Sequence, residues 1–310
     1  MARGPELSAL VLALFFGCAN RVASHPATAQ PPQSRPLTTT SSALAASAPP
    51  SPVQTPSQNS ALTETGATYL AGEPSLRGRT IALEVPDFAP AVVRFPDSLG
   101  KAPVLVVTHG AGGTPEAHCD LWARISRGKA ILLCVRGRAR SPMPADGDYY
   151  PDHPALERET FAALAALRAR FAERIADGPV FYAGFSQGAT MGALMLVEHA
   201  SEITRLVLVE GGFSEWNIPR ARDFRARGGE RVLFVCGRKE CAEPARNAAH
   251  WFKEAGVAAQ VEYVRGAGHS HDARVEARLA ALYPWFIAGD ARWQSDDESG
   301  AKAVSARTPK

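Results

Sequence analysis

What this chain lacks narrows its chemistry first. It has no Cys-x-x-Cys pair, no zinc-finger spacing, no phosphate-cradling Gly-x-x-x-x-Gly-Lys and no internal repeat. Those absences exclude the common zinc modules, P-loop nucleotide binding and solenoid architectures. Charge of one sign is also scarce. The 34 Lys and Arg against 31 Asp and Glu leave a formal net charge of +3, too little for the electrostatic footprint of a nucleic-acid partner. The apolar run near the start, 7–17, is about eleven residues, shorter than the roughly twenty that span a bilayer. What remains is an ordinary globular balance, 45% hydrophobic and 21% charged, in a length that allows one large domain with extensions.

The run 7–17 has the size of a signal-peptide core. It ends in Leu14-Phe15-Phe16-Gly17-Cys18, which resembles a bacterial lipobox, so residues 1–18 are expected to be a lipoprotein signal with Cys18 lipidated. The alternative is a secretory signal cut near Ala23 or Ala27. On either reading the domain is exported: a membrane-anchored lipoprotein of the cell envelope, or a secreted or periplasmic protein. Residues 19–73 are rich in Pro, Ser, Thr, Ala and Gln and are expected to form a disordered tether. An exported protein can pair its cysteines. With Cys18 set aside, closeness in sequence predicts the disulfides Cys119–Cys134 and Cys236–Cys241.

The domain, 74–288, alternates strand and helix. Strands are expected at 79–85, 91–95, 103–108, 130–135, 180–183, 206–209, 232–235 and 259–264. Helices are expected at 115–127, 155–176, 188–193 and onward, 244–255 and 273–286. The segment 137–153 reads as a loop and 289–310 as a disordered tail. Near-continuous apolar strands such as Val104-Leu105-Val106-Val107 mark a sheet covered on both faces. Alternation implies an α/β fold with a mostly parallel, doubly wound sheet. Right-handed crossovers then bring His109, Ser186, Glu210, Gly237 and His269 to one sheet edge, where such folds bind ligands.

The stretch that organises the rest is Gly184-Phe185-Ser186-Gln187-Gly188. G-x-S-x-G between a strand and a helix is a nucleophile elbow, a turn so tight that glycines must flank the serine. The string resembles the elbow of the carboxylesterase/phospholipase and acyl-protein thioesterase branch of the α/β-hydrolases; the whole domain is similar to that superfamily, including its dienelactone-hydrolase and polyhydroxybutyrate-depolymerase-like branches. The resemblance implies an α/β-hydrolase fold. The segment between 206–209 and 232–235, about twenty residues, leaves no room for a large lid domain.

It also implies roles. Ser186 is the nucleophile. His269, in Gly-x-Gly-His after the last strand, is the general base. The backbone N–H groups of Gln187 and of Ala111, in His109-Gly-Ala-Gly-Gly, form the oxyanion hole. The family's acid position, three residues after a strand-end glycine, falls on Glu240. Glu210 at the end of the preceding strand is the alternative, with Glu243 or no carboxylate behind it. His271 is expected to be exposed, and His269-Ser-His271-Asp272 supplies too few ligands to argue for a metal. Trp216, Tyr149 and Tyr150 either line the site edge or pack inside. The expected activity is ester hydrolysis through an acyl-enzyme, on a small-molecule or polymeric ester, with no cofactor. The alternatives are a polymer esterase (polyhydroxyalkanoate or polysaccharide ester) or peptidase, and a binding lipoprotein that kept the fold without turnover.

Overall fold

A computed structural model describes residues 75–293. The signal segment, Cys18, the tether and residues 294–310 lie outside the described residues. The chain begins with the hairpin of β1 (Thr80–Val85) and β2 (Phe88–Arg94). There follow β3 (Val104–Thr108), α1 (Pro115–Ser126), β4 (Ile131–Cys134), β5 (Arg138–Ala139) and β6 (Asp148–Tyr149). Then come α2 (His153–Phe171), β7 (Val180–Phe185), α3 (Gln187–Met195), β8 (Ile203–Val209), α4 (Ile218–Ala226), β9 (Arg231–Cys236), α5 (Lys239–Glu254), β10 (Ala258–Tyr263) and α6 (Ala273–Ile287).

Eight strands form one sheet in the order β1-β2-β4-β3-β7-β8-β9-β10. From β4 to β10 every neighbouring pair is parallel, while β2 runs antiparallel to both β1 and β4. β3 and β8 are buried along their whole length, as strands covered on both faces must be. One face carries α1 and α6, with Trp122, Leu279, Tyr283 and Phe286 packed on Val107, Phe181 and Val207. The other carries α2 to α5, with Leu164, Leu167, Phe224 and Phe252 packed on Val106, Tyr182 and Phe234.

The elements depart from the sequence expectations in four places. The loop 137–153 contains the antiparallel ribbon β5–β6. The segment before 229 contains α4, whose arginine-rich sequence buries only Ala221 and Phe224 and so has little apolar period to read. Asn217 caps it, accepting the Arg220 N–H at 3.0 Å. α5 starts at Lys239, five residues earlier than expected, because Pro244 sits inside its second turn rather than opening it. Finally, the expected disordered tail begins too early. Residues Ala291–Trp293 form a 3-10 turn, and Trp293 is buried against Phe181, ring stacked on ring at 4.7 Å.

Both expected disulfides are present, Cys119–Cys134 with Cα atoms 5.9 Å apart and Cys236–Cys241 with Cα atoms 5.5 Å apart. The first ties α1 to β4 beneath the His109–Thr114 loop. The second brackets the turn from β9 into α5.

Candidate active site

β7 runs straight into Ser186 and α3 begins at the next residue. Ser186 has φ 50° and ψ −111°, a backbone state costing a non-glycine residue about 1–3 kcal/mol. Packing on both sides holds it there. A methyl group on Gly184 would lie 2.7 Å from Ala189 N, and one on Gly188 would lie 2.5 Å from Thr108 Oγ1 and 2.7 Å from His109 O. Only glycine fits either position. The Ser186 N–H donates to Val209 O at 2.8 Å, and the Tyr182 hydroxyl donates to Gly188 O at 2.7 Å. These bonds fasten the turn to β8 and β7.

The neighbouring strand ends supply the other groups. The parallel register sets Phe185 beside Val209, and Val209 beside Val235. Glu210 therefore emerges one strand away from Ser186, and Gly237 one strand further. After β10 the loop carrying His269 returns over them. His269 Nε2 lies 2.7 Å from Ser186 Oγ, and Nδ1 lies 3.1 Å from Glu210 Oε2. A carboxylate only accepts, so Nδ1–H donates to Glu210 and Nε2 accepts the serine hydroxyl. That is the tautomer a general base needs.

The carboxylate that the structure brings to His269 is Glu210, where the family's acid position had pointed to Glu240. Glu240 lies in the first turn of α5 and is exposed, where a carboxylate favours the helix N-terminus rather than the imidazole. Glu243 pairs with Lys239 at 3.4 Å. The Glu210 side chain, by contrast, is fully buried, and a buried carboxylate must be paired. It accepts from the Gly237 N–H, from the Arg238 N–H at 3.2 Å, and from Arg238 Nε at 2.7 Å, besides His269. Glu210 too has a positive φ, 55°. Sequence reasoning missed Arg238; its signal was a basic residue directly after the strand-end glycine next to Glu210's strand.

The His109–Thr114 loop crosses beside the elbow. The His109 ring is buried, set between the carbonyls of Gly110 (2.8 Å) and Arg136 (2.7 Å) and stacked on Tyr150. Ala111 is exposed on this loop and Gln187 opens α3. Among the described residues neither of their backbone N–H groups has a hydrogen-bond partner. The Gln187 side chain is fully engaged with the Tyr150 backbone, at 2.9 Å to both N and O. It orients its own main chain at the helix start, where the dipole favours a developing anion.

His271 differs from its expected exposure. Part of the residue reaches solvent, but both ring nitrogens are buried without partners. The ring packs on Phe185 (4.2 Å) and His118 (5.2 Å). Burial, then the charges of His118 and His269, push its pKa down to about 3. Burial, followed by the charge of His109, pushes His118 down to about 4. Both are neutral near pH 7. Asp272 caps α6 by accepting the Arg274 and Val275 N–H groups. Among the described residues no group of three or more His, Cys, Asp or Glu converges on a metal-sized site. Trp216 and Tyr150 are packed inside rather than lining the site: Trp216 donates to Gly212 O, and the Tyr150 hydroxyl donates to Val135 O.

No family model and no curated protein matches this sequence. Solved structures do. TT1662 from Thermus thermophilus is 20% identical, covering 68% of this chain and 99% of its own, with a TM-score of 0.50. The S-formylglutathione hydrolase FrmB from Staphylococcus aureus is 12% identical, covering 67% of this chain and 95% of its own, also with a TM-score of 0.50. With the strand order and elbow above, these place the described residues in the α/β-hydrolase fold.

Proposed function

We propose that this protein is a serine hydrolase of carboxylic esters working through an acyl-enzyme. The observation that carries the reading is the contact of His269 Nε2 with Ser186 Oγ at 2.7 Å, with Glu210 on the far nitrogen. Fold alone is a poor guide to chemistry; the argument rests on the site. Ser186 Oγ attacks the ester carbonyl while His269 Nε2 takes its proton. The Ala111 and Gln187 N–H groups receive the oxyanion. His269 then returns the proton to the departing alcohol, leaving an acyl ester on Ser186. Water repeats the sequence and releases the acid. Glu210 stabilises the imidazolium at each stage and does not itself take the proton. The occupied Glu210–His269–Ser186 chain argues against a binding protein that has lost its machinery.

The same proposal includes export, with anchoring through Cys18. What supports it is the signal-like run 7–17 and two disulfides in the domain, bonds that persist in oxidising compartments. Labelled palmitate incorporated into the wild type but not into Cys18→Ser would bear it out; equal, soluble behaviour of both would remove the anchor.

The test of the hydrolase reading is a fluorophosphonate probe on the full chain. Rapid labelling at Ser186, lost in Ser186→Ala and His269→Ala, is expected. A folded wild type that neither labels nor turns over any ester overturns the reading.

A further inference from the structure

The ribbon β5–β6 is fastened to the oxyanion loop. The Gly112 N–H donates to Asp148 O and the Asp148 N–H to Gly113 O, each at 2.8 Å, and the Arg140 N–H closes the ribbon on Gly147 O at 3.0 Å. This clamp lays the Arg140 guanidinium against Gly112. A methyl group on Gly112 would sit 2.8 Å from Arg140 Nη1, so the cation lies directly against the loop. Ala111, the expected oxyanion donor, is the adjacent residue.

The Arg140 guanidinium has no protein partner among the described residues. The nearby carboxylates are engaged elsewhere: Asp146 accepts from the Ser141 hydroxyl, while Glu116 and Asp148 pair with Arg136. Arg140 is exposed. An unpaired guanidinium beside an oxyanion hole is a recognition element for a planar anion, because its fork matches a carboxylate with two parallel hydrogen bonds.

We propose that Arg140 selects esters that bear a free carboxylate a few atoms from the scissile carbonyl. The inference rests on the hydrolase reading and names its substrate class. It makes Arg140 a specificity-determining residue on a segment that the sequence reads as a loop.

The test uses the full chain and two matched pairs of esters. p-Nitrophenyl valerate and mono-p-nitrophenyl glutarate place the charge on the acyl side. Phenyl butyrate and 3-carboxyphenyl butyrate place it on the alcohol side. The wild type is expected to prefer the charged member of one pair by roughly tenfold to a hundredfold in kcat/KM, the range of a charge-assisted contact. Arg140→Gln is expected to lower that preference at least tenfold, Arg140→Lys less. Added salt weakens the preference of the wild type more than that of Arg140→Gln. Neutral-ester turnover with no preference in either pair, or a preference unmoved in Arg140→Gln, overturns this inference alone. No turnover of any of the four by a chain that still labels at Ser186 also overturns this inference alone, whereas a folded chain that neither labels nor turns over any ester overturns the hydrolase reading beneath it.

Discussion

Two strand-to-helix turns, two strands apart on the same sheet edge, do opposite jobs. The turn from β7 into α3 presents a side chain. The turn from β9 into α5 presents main chain. In the first, the helix begins immediately after Ser186, and flanking glycines let the serine take its positive φ and rise toward His269. In the second, Arg238 keeps an extended φ of −114° before the helix starts. Its N–H and that of Gly237 thereby turn back onto Glu210. The Gly237 carbonyl accepts the Gly268 N–H at 3.3 Å, which joins this cradle to the His269 loop. A catalytic edge thus needs one turn that exposes a reacting atom and another that immobilises the group behind it.

Breaking the first turn is expected to have the largest effect. Ser186→Ala should lower kcat/KM by at least about 10³-fold, as removal of a nucleophile does, with fluorophosphonate labelling abolished. Breaking the cradle through its guest comes next. Glu210→Gln should lower kcat by roughly 10²- to 10⁴-fold, while Glu240→Gln stays within about twofold; the reverse ranking would restore Glu240 as the acid. Arg238→Gln, which leaves both backbone donors in place, should cost about tenfold in kcat with little change in KM. Added guanidinium should restore part of the loss in Arg238→Ala.

The disulfides sharpen the comparison further. In the chain-entropy picture Cys119–Cys134, closing fifteen residues, contributes about 3 kcal/mol and the shorter Cys236–Cys241 about 2 kcal/mol. Replacing the second pair by alanine should therefore cost less in denaturation midpoint than replacing the first, yet more in kcat, because only the second brackets the Glu210 cradle. Equal kcat losses would show that the bracket has no positional role.

The imidazoles packed on and near Phe185 affect stability rather than turnover. His271 and His118 have folded pKa values of about 3 and about 4, below the ordinary 6.5. The unfolded chain then binds more protons than the folded one between those limits. Their contribution is fully present above about pH 6.5 and is lost as pH falls, with a slope of up to about 1.4 kcal/mol per pH unit for each ring. Urea unfolding between pH 7 and pH 4.5 should show this decline, and His271→Phe should flatten it. An unchanged slope would mean that the folded ring takes up its proton as readily as the unfolded one.

How much of this was legible beforehand depended on the range of the forces involved. The strand and helix alternation, the elbow, the Gly-x-Gly-His motif and both disulfide pairs were readable because each rests on nearby sequence: apolar runs, glycine spacing, cysteines five and fifteen residues apart. The ribbon β5–β6 was not, since two-residue strands carry no period and exist through bonds to the oxyanion loop. The order of the final turn around Trp293 was equally hidden, since its partner Phe181 lies on β7.

The sequence by itself determined the α/β class and marked Ser186 and His269 as candidate nucleophile and base, because a turn that exposes a serine is specified by the steric demands of five consecutive residues. The choice of acid was left to the tertiary structure. Glu210 and Glu240 both follow strands, and both carry the right group. What separates them is that the sheet register buries the first beneath His269, 59 residues away in sequence, while α5 turns the second into solvent. A carboxylate's role is set by what surrounds it, and those surroundings come from three different strand ends.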